Sequence, residues 1–267
     1  MSLQALYTAG SGMQAMQTQL AVIANNLANS QTTAFKRGMP NFEDLFYHQE
    51  KFPGTIDQLG QRTAVGIAVG TGARLTNVEN DQTQGAMNQT GQQLDVAIQG
   101  PGYFKVQDPS GDTLYTRDGN FSLNANGNIV MASSNVGRLL QPSISIPQGV
   151  TAIQISPEGV VTVQQPNQTQ MQSVGQIELV NFVNPQGLLS LGGNLYSQTD
   201  ASGNATTANP GQNGMGTLMQ SSLEASNVEP VSELVSLITT QRSFELNSQC
   251  VQACDQMLQL VANLRHS

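Results

Sequence analysis

The residues of this chain that could carry acid–base, nucleophilic or metal chemistry are few and far apart. The histidines are His48 and His266, and the cysteines are Cys250 and Cys254. A catalytic triad or a zinc site needs several such side chains at bonding distance, which two isolated histidines do not provide. The cysteines stand one helical turn apart and are typical of small apolar residues on a packed helix face. We therefore expect no catalytic residue and no metal ligand.

Two glycine pairs and one oxygen-rich segment could suggest a bound cofactor. Residues 70–72 and 100–102 lack the third glycine, the following helix and the acidic partner of a dinucleotide site. Residues 118–128 lack the flanking helices and the distal glutamate of a calcium-binding loop. We expect no cofactor and no small-molecule substrate. A hydrolase using pairs of the 18 scattered acidic residues is the weakest alternative.

The composition favours packing against other protein surfaces. Charged residues make up 10% of the 267 residues, whereas there are 33 Gln and 22 Asn, and amides lose less on desolvation than charged groups do. The net charge is −8 and no basic run exceeds Lys36-Arg37, which argues against nucleic acid as a partner. We find no run of 18 apolar residues and no Sec-type signal in the first 30 residues, so a cytoplasmic location or export without a cleaved signal is expected.

Both ends of the chain show heptad patterns that predict long helices, over about residues 2–28 and 230–264. The repeats place apolar residues at every seventh position. They are Leu6, Met13, Leu20 and Leu27 at one end, and Leu237, Phe244, Val251 and Leu258 at the other. Polar positions such as Thr240 and Asn247 in the second seam are typical of residues that set register. The predicted fold class is α+β, with the terminal helices forming a coiled-coil core domain.

Between the helices, the sequence predicts an extended arm and an all-β domain. Pro and Gly interrupt every periodic window over 36–93, although short strands are expected near 67–69 and 73–78. From 94 to 227, alternating residues and turn signals predict hairpins, with loops over 184–216. The expected domains are 1–35 with 228–267 (helical core), 36–93 (arm) and 94–227 (β-domain).

Four sequence blocks resemble the signatures of the bacterial flagellar rod and hook family. They are ANNLANSQTTAFKR at 24–37, DVAIQGPGYF at 95–104, YTRDGNFSLNANG at 115–127, and LEASNV at 223–228 leading into QRSFELN at 241–247. Ala34 stands where that family usually has Gly. The chain is too short for the hook protein, and its segment 46–61 is similar to an insert of distal rod members.

The resemblance implies a structural subunit of the distal rod, polymerised into a helical tube that transmits torque. The implied partners are other copies of the chain, proximal rod proteins, the hook protein, flagellar ring proteins and the type III export apparatus. A proximal rod protein, or a β-rich surface- or carbohydrate-binding module with oligomerisation helices, stays open as an alternative.

The resemblance and the heptad seams together give the residues expected at subunit contacts. These are Leu6, Met13, Leu20, Asn25, Asn26, Leu27, Asn29, Phe35, Leu237, Gln241, Phe244, Asn247, Val251 and Leu258. Phe42 and Phe46 have the spacing of an export-gate motif, for which packing of the arm is the competing interpretation.

Overall fold

A computed structural model describes residues 2–56, 62, 64–132, 136–166 and 170–264. Residues 57–61 of the 46–61 insert lie outside these ranges. The chain divides into two compact units: unit 1 comprises residues 1–28, 38–80 and 229–267, and unit 2 comprises residues 29–37 and 81–228. Within the described ranges, no helix is both long enough and apolar enough to cross a membrane.

Unit 1 contains the two terminal helices and two antiparallel strand pairs. Its elements are α1 Ser2–Ala28, β1 Gly38–Asp44, β2 Tyr47–Lys51, β3 Ile67–Gly70, β4 Ala73–Asn80 and α2 Pro230–Leu264. Strand β1 pairs with β4, and β2 pairs with β3, both of which lie between β1 and β4 in the sequence. Each pair has one irregularity in register. Pro230 begins α2 and Glu233 lies in its first turn, as favours a helix start. The predicted extents of both helices are confirmed.

The two helices of unit 1 approach closely where one of them lacks a side chain. A Cβ atom added at Gly12 would lie 3.2 Å from Nδ2 of Asn247. A residue with a side chain at position 12 would therefore push this amide away, which explains a glycine in the middle of α1 despite its low helix propensity.

Unit 2 is built from short antiparallel strands. They are β5 Met87–Gln89, β6 Val96–Gln99, β7 Tyr103–Gln107, β8 Thr113–Thr116, β9 Phe121–Leu123, β10 Ile129–Met131, β11 Leu139–Gln141, β12 Ala152–Ile155, β13 Val160–Gln164, β14 Gln172–Gln176, β15 Leu179–Asn181, β16 Leu189–Gly192, β17 Leu195–Ser197, β18 Thr206–Ala208, β19 Thr217–Gln220 and β20 Ser222–Glu224.

These strands form one large sheet and several small ones. The main path of the nine-stranded sheet runs β16-β17-β8-β7-β11-β10-β9, with β15 pairing to β7 and β18. Strands β12, β13 and β14 form a three-stranded sheet, while β19 pairs with β6 and β20 with β5. The expected hairpins β7–β8, β9–β10 and β12–β13 are confirmed, whereas β6 pairs with β19 and not with β7. The predicted loop region 184–216 also contains β16, β17 and β18.

The hydrophobic core belongs to unit 2. A large cluster includes Phe104, Leu140 and Leu179, each fully buried. A second cluster surrounds Tyr103 and Phe182, whose rings meet edge to face with centroids 5.9 Å apart. Burial of this apolar surface is the main favourable term in folding of the β unit.

The predicted fold class is therefore wrong, because the terminal helices do not form the core and the chain is mainly β between them. The buried apolar residues of the described helices are Ala9, Ala15, Ile23 and Cys254, which are mostly small. Large apolar residues of α2 are spread around its circumference, and Leu246 and Leu260 are each 64% exposed. One narrow seam cannot cover residues on all sides of a helix. Within the predicted arm, β3 and β4 correspond to the short strands expected near 67–69 and 73–78, and they pair with β2 and β1 inside unit 1.

Candidate functional site

Three charged side chains, widely separated in sequence, meet inside unit 2. Nζ of Lys36 donates to Oε1 of Glu224 at 2.7 Å, and Nε of Arg117 donates to Oε2 of the same carboxylate at 2.6 Å. The side chains of Lys36, Arg117 and Glu224 are 2%, 6% and 0% exposed. Because two cations flank one anion in a medium of low dielectric, this cluster holds its three chain segments at a fixed distance.

The remaining donors of Arg117 and Lys36 bind backbone carbonyls. Nη2 of Arg117 donates to the carbonyl of Gly100 at 2.7 Å, and Nη1 donates to that of Gly102 at 3.2 Å. Both glycines have positive φ, a conformation that side chains disfavour, and the turn directs their carbonyls at the guanidinium. Nζ of Lys36 also donates to the carbonyl of Thr83 at 2.7 Å. The buried cations thus fix two loops in addition to binding Glu224.

The carboxylate of Glu224 is held ionised by its neighbours. Burial alone would raise the pKa of Glu224, but the charges of Arg117 and Lys36 and a hydrogen bond from the Gly85 N–H outweigh it, so the pKa lies below its ordinary value. For Lys36 the balance is opposite, and burial lowers the pKa of its ammonium despite the attraction of Glu224. The asymmetry arises because Glu224 is attracted by two cations, whereas for Lys36 burial and repulsion by Arg117 outweigh the attraction of Glu224 and Asp81.

Residues 29–37 are attached to the rest of unit 2 mainly by hydrogen bonds that their backbone N–H groups donate. The N–H of Ala34 donates to the carbonyl of Glu224 at 2.8 Å, and the N–H of Arg37 donates to Oδ1 of Asn227 at 2.7 Å. Nδ2 of Asn227 donates in turn to the carbonyl of Asp81 at 2.8 Å. Ala34 is 1% exposed and has φ of 55°, the left-handed conformation that costs a non-glycine residue about 1–2 kcal/mol.

A second polar contact holds the end of α1 within unit 1. Nδ2 of Asn26 donates to the carbonyl of Gly38 at 2.9 Å, and Oδ1 of Asn26 accepts from the N–H of Gly38 at 2.9 Å. The same Nδ2 lies 3.5 Å from Oε2 of Glu233. Both Asn26 and Glu233 are 2% exposed. The amide therefore connects α1 to the start of β1 and to the first turn of α2.

The other residues expected at subunit contacts are only partly covered in a single chain. Asn25 and Gln241 are exposed, while Asn29 and Phe35 are half-buried in unit 2. The remaining seam residues are half-buried in unit 1: Leu6, Met13, Leu20, Leu27, Leu237, Phe244, Asn247, Val251 and Leu258. Phe42 lies in β1 and is 38% exposed, whereas Phe46 is 93% exposed.

The arrangement is suited to fixing segments and offers little for chemistry. Glu224 offsets one of the two positive charges of Lys36 and Arg117, and further donors of both cations are taken by backbone carbonyls. Among the described residues, no group of three or more His, Cys, Asp and Glu side chains could hold a metal ion. The candidate functional site is therefore structural, comprising the buried cluster of unit 2 and the incompletely covered helices of unit 1.

Sequence reasoning did not identify Lys36, Arg117, Glu224, Asn227 or Glu233 as important, although all but Glu233 lie in the quoted sequence blocks. The scarcity of charged residues in the sequence could have identified some of them. In a chain with 10% charged residues, charged side chains beside strongly apolar strands are candidates for buried pairs, since unpaired burial is costly.

Comparison with known proteins gives three matching family models. They are "Flagella basal body rod protein" at residues 6–36, "Flagellar hook protein FlgE/F/G D1 domain" at 97–163 and "Flagellar basal body rod FlgEFG protein C-terminal" at 219–264. Each matched segment supplies one member of the buried cluster: Lys36, Arg117 and Glu224 respectively.

Curated relatives match over nearly the whole chain. The flagellar basal-body rod protein FlgG of Caulobacter vibrioides is 46% identical, covering 98% of this chain and 100% of the relative. That of Buchnera aphidicola subsp. Baizongia pistaciae is 44% identical (97% and 99%), and that of Bacillus subtilis is 35% identical (98% and 99%).

Proposed function

The chain belongs to the flagellar basal-body rod proteins of the FlgG group and is a structural subunit of the distal rod, where we propose that copies polymerise through their terminal helices into a tube that transmits torque. In this role the subunit has no catalytic activity, and it binds neither nucleic acid nor a small-molecule substrate.

The observation that carries the proposal is the uncovered apolar surface of the helices. Exposed large apolar residues run along most of α2 and onto α1. They are Tyr7, Val231, Leu234, Val235, Ile238, Leu246, Met257 and Leu260. Large exposed apolar surfaces commonly mark sites of protein–protein contact, and each large side chain contributes roughly 1.5–3 kcal/mol when fully buried. In a polymer, the helices of neighbouring copies would cover these apolar residues.

The half-buried seam residues support contacts within and between subunits. We expect Leu6, Met13, Leu20 and Leu27 to pack against Leu237, Phe244, Val251 and Leu258 of the same or a neighbouring chain. The polar neighbours Asn25, Gln241 and Asn247 are placed to fix the register of these contacts. Many repeats of one modest contact produce a stiff shaft.

The strand pairs of unit 1 also leave aromatic residues uncovered. Phe46, Tyr47 and Phe52 are 93%, 55% and 63% exposed, and Ile67 is 51% exposed. An isolated two-stranded pair is marginally stable in water. We therefore expect β2 and β3 to lie against neighbouring subunits and to resist bending of the rod. In the unfolded chain, Phe42 and Phe46 would also be accessible to an export gate.

The partners that follow are other copies of the chain, the proximal rod proteins below it, the hook protein above it and the ring proteins around it. Delivery through the type III export apparatus is part of the same proposal. These partners would be consistent with a surface that is rich in amides and poor in charge.

A deletion strain tests the proposed function. Basal bodies isolated from cells lacking this chain should end in a rod shortened at its distal end, and the full-length chain should restore the rod and the hook. Rods of normal length in the deletion strain would contradict the proposal, and loss of the entire rod would favour a proximal position.

A further inference from the structure

Strand β16 is an exposed edge of the nine-stranded sheet. It lies at one end of the main strand path and pairs with β17. Its four residues are all exposed, and Leu189 and Leu191 are 54% and 53% exposed. An edge strand with exposed apolar side chains can pair with a further strand through its free N–H and C=O groups.

Strand β16 lacks two of the features that discourage such pairing, although it is short and its pairing with β17 is irregular between Ser190 and Gly192. Natural edge strands carry charged residues, especially Lys, or prolines within the strand. Residues 179–199 contain no charged residue, and the chain has no Lys or Arg between Arg138 and Arg242. An anionic partner would find no counter-charge here, so the edge is suited to an uncharged protein surface.

An open groove lies at the other end of the same sheet. Strand β9 is the opposite terminal strand and pairs with β10. Residues 91–95 form the far wall of a groove beside it with a volume of about 590 Å³. Leu123, which is 40% exposed, and Ile153 supply apolar lining. The volume lies within the range of about 300–1,000 Å³ typical of binding pockets, enough for more than one aliphatic side chain.

The groove resembles β16 in having little accessible charge. Of the described residues that line it, only Asp95 is charged. Asp95 is 6% exposed and accepts a hydrogen bond from Oγ1 of Thr90 at 2.5 Å. The accessible lining is therefore aliphatic and amide, like the surface around Leu189 and Leu191.

We propose that β16 of one copy docks in the groove beside β9 of a second copy, so that the large sheet continues from subunit to subunit. The inference rests on the rod polymer proposed above and adds a contact made by unit 2. Joining two different patches gives a head-to-tail interface, which generates open helical assemblies. Pairing of β16 with β16 would instead give closed dimers.

Engineered cysteines test the contact in assembled rods. Leu191→Cys and Leu123→Cys are introduced together into the full chain carrying Cys250→Ala and Cys254→Ala, and isolated basal bodies are oxidised. We expect a ladder of crosslinked multimers from the double variant and none from either single variant. Dimers from Leu191→Cys alone would overturn the head-to-tail pairing. Rods that form but give no ladder would overturn the contact while leaving the proposed function standing.

A charge exchange tests the same contact in the natural cysteine background. Leu191→Glu should lower the number of complete rods per cell roughly tenfold, the effect of about 1.4 kcal/mol per contact. Adding Leu123→Lys should restore most of that number, because the two charges then attract. Leu123→Lys alone is the matched control and should not raise rod number above the unmodified chain. A Leu191→Glu strain with normal rods, or one that Leu123→Lys fails to rescue, would overturn the proposal.

Discussion

Nε of Arg117 donates to Oε2 of Glu224 at 2.6 Å across 107 residues of sequence. The pair joins the strand region after β8 to the last strand of unit 2, and Lys36 joins the same carboxylate from residues 29–37. The buried charges are therefore a connection between chain segments that the sheet hydrogen bonds do not link directly.

Glu224→Gln should destabilise unit 2 by about 3–5 kcal/mol, because it leaves two buried cations without a counter-charge. Urea unfolding of the full chain, followed by the near-UV circular dichroism of the tyrosines, measures the free energy of unfolding. Tyr103, Tyr115 and Tyr196 lie in the buried aromatic cluster of unit 2 and report on its packing. Glu158→Gln, on an exposed turn, is the control and should change the free energy by less than about 0.5 kcal/mol. Equal effects of the two substitutions would contradict the assigned role.

The contribution of Glu224 should depend on pH. Because the folded-state pKa of Glu224 is lowered from its ordinary value of 4.5, its stabilisation is complete above that value and is lost as pH falls through the folded-state pKa. The gap in unfolding free energy between the natural chain and Glu224→Gln should therefore be constant near neutral pH and narrow below pH 4.5. Urea titrations at several pH values measure it, and a gap that widens in acid would refute this assignment.

Substitutions at Ala34 should show the cost of its left-handed backbone. Ala34→Gly removes the strain of the left-handed backbone but raises the conformational entropy of the unfolded chain. We therefore expect the free energy of unfolding to change by no more than about 1 kcal/mol. Ala34→Val adds a β-branched side chain to a buried residue with φ of 55°, and should destabilise by more than about 2 kcal/mol. Thermal unfolding of the three proteins ranks them. A valine variant as stable as the glycine variant would show that this turn adopts another conformation.

Asn26→Asp should destabilise the contact of α1 with the start of β1. The new carboxylate would lose the donor to Gly38 and lie beside Oε2 of Glu233, now 3.5 Å from Nδ2. Repulsion between buried carboxylates raises their pKa values, so the loss should be about 2–4 kcal/mol near neutral pH and smaller in acid. Helix unfolding followed at 222 nm in the far-UV spectrum measures this. Gln17→Glu, exposed on the same helix, should have little effect. A loss independent of pH would argue against the Glu233 contact.

Leu246→Asp should prevent rod assembly without unfolding the free chain. Leu246 is 64% exposed in one chain, so a charge there is tolerated until a neighbour covers it. We expect at least a tenfold fall in rods counted in electron micrographs, equivalent to about 1.4 kcal/mol or more per contact. Leu20→Asp and Phe244→Asp should also block assembly, but both residues are half-buried within unit 1 and their loss would perturb it as well. Gln252→Asp, exposed on the same helix, is the matched control. Normal rods with Leu246→Asp would remove this face from the interface.

Local patterns predicted the elements of this fold better than their organisation. The extents of α1 and α2 follow from heptads and from Pro230, and hairpins such as β9 with β10 follow from the turn residues between them. The position of the core did not follow, because repeats such as Leu6 and Leu20 show that a seam exists but not how much of it one chain covers. Strand β16 was missed because its Gly- and Asn-rich surroundings are typical of loops.

The candidate site was predictable only in part. Asn26 was expected at a contact, and it holds Gly38 and Glu233 within one chain. The hydrogen-bond partners of Lys36 lie 47 and 188 residues further along the chain, at Thr83 and Glu224. Nothing in local spacing links these positions, since their meeting is a property of the folded sheet.

The chain order of the buried cluster has a consequence for how the protein is made. The two cations precede the anion, which is supplied by β20 near the end of unit 2. A nascent chain that does not yet include residue 224 must leave Lys36 and Arg117 in water, since burying either of them without the carboxylate is costly. We therefore expect closure of the β unit to be deferred until its final strand emerges, so that an incomplete chain stays unfolded in this region during synthesis.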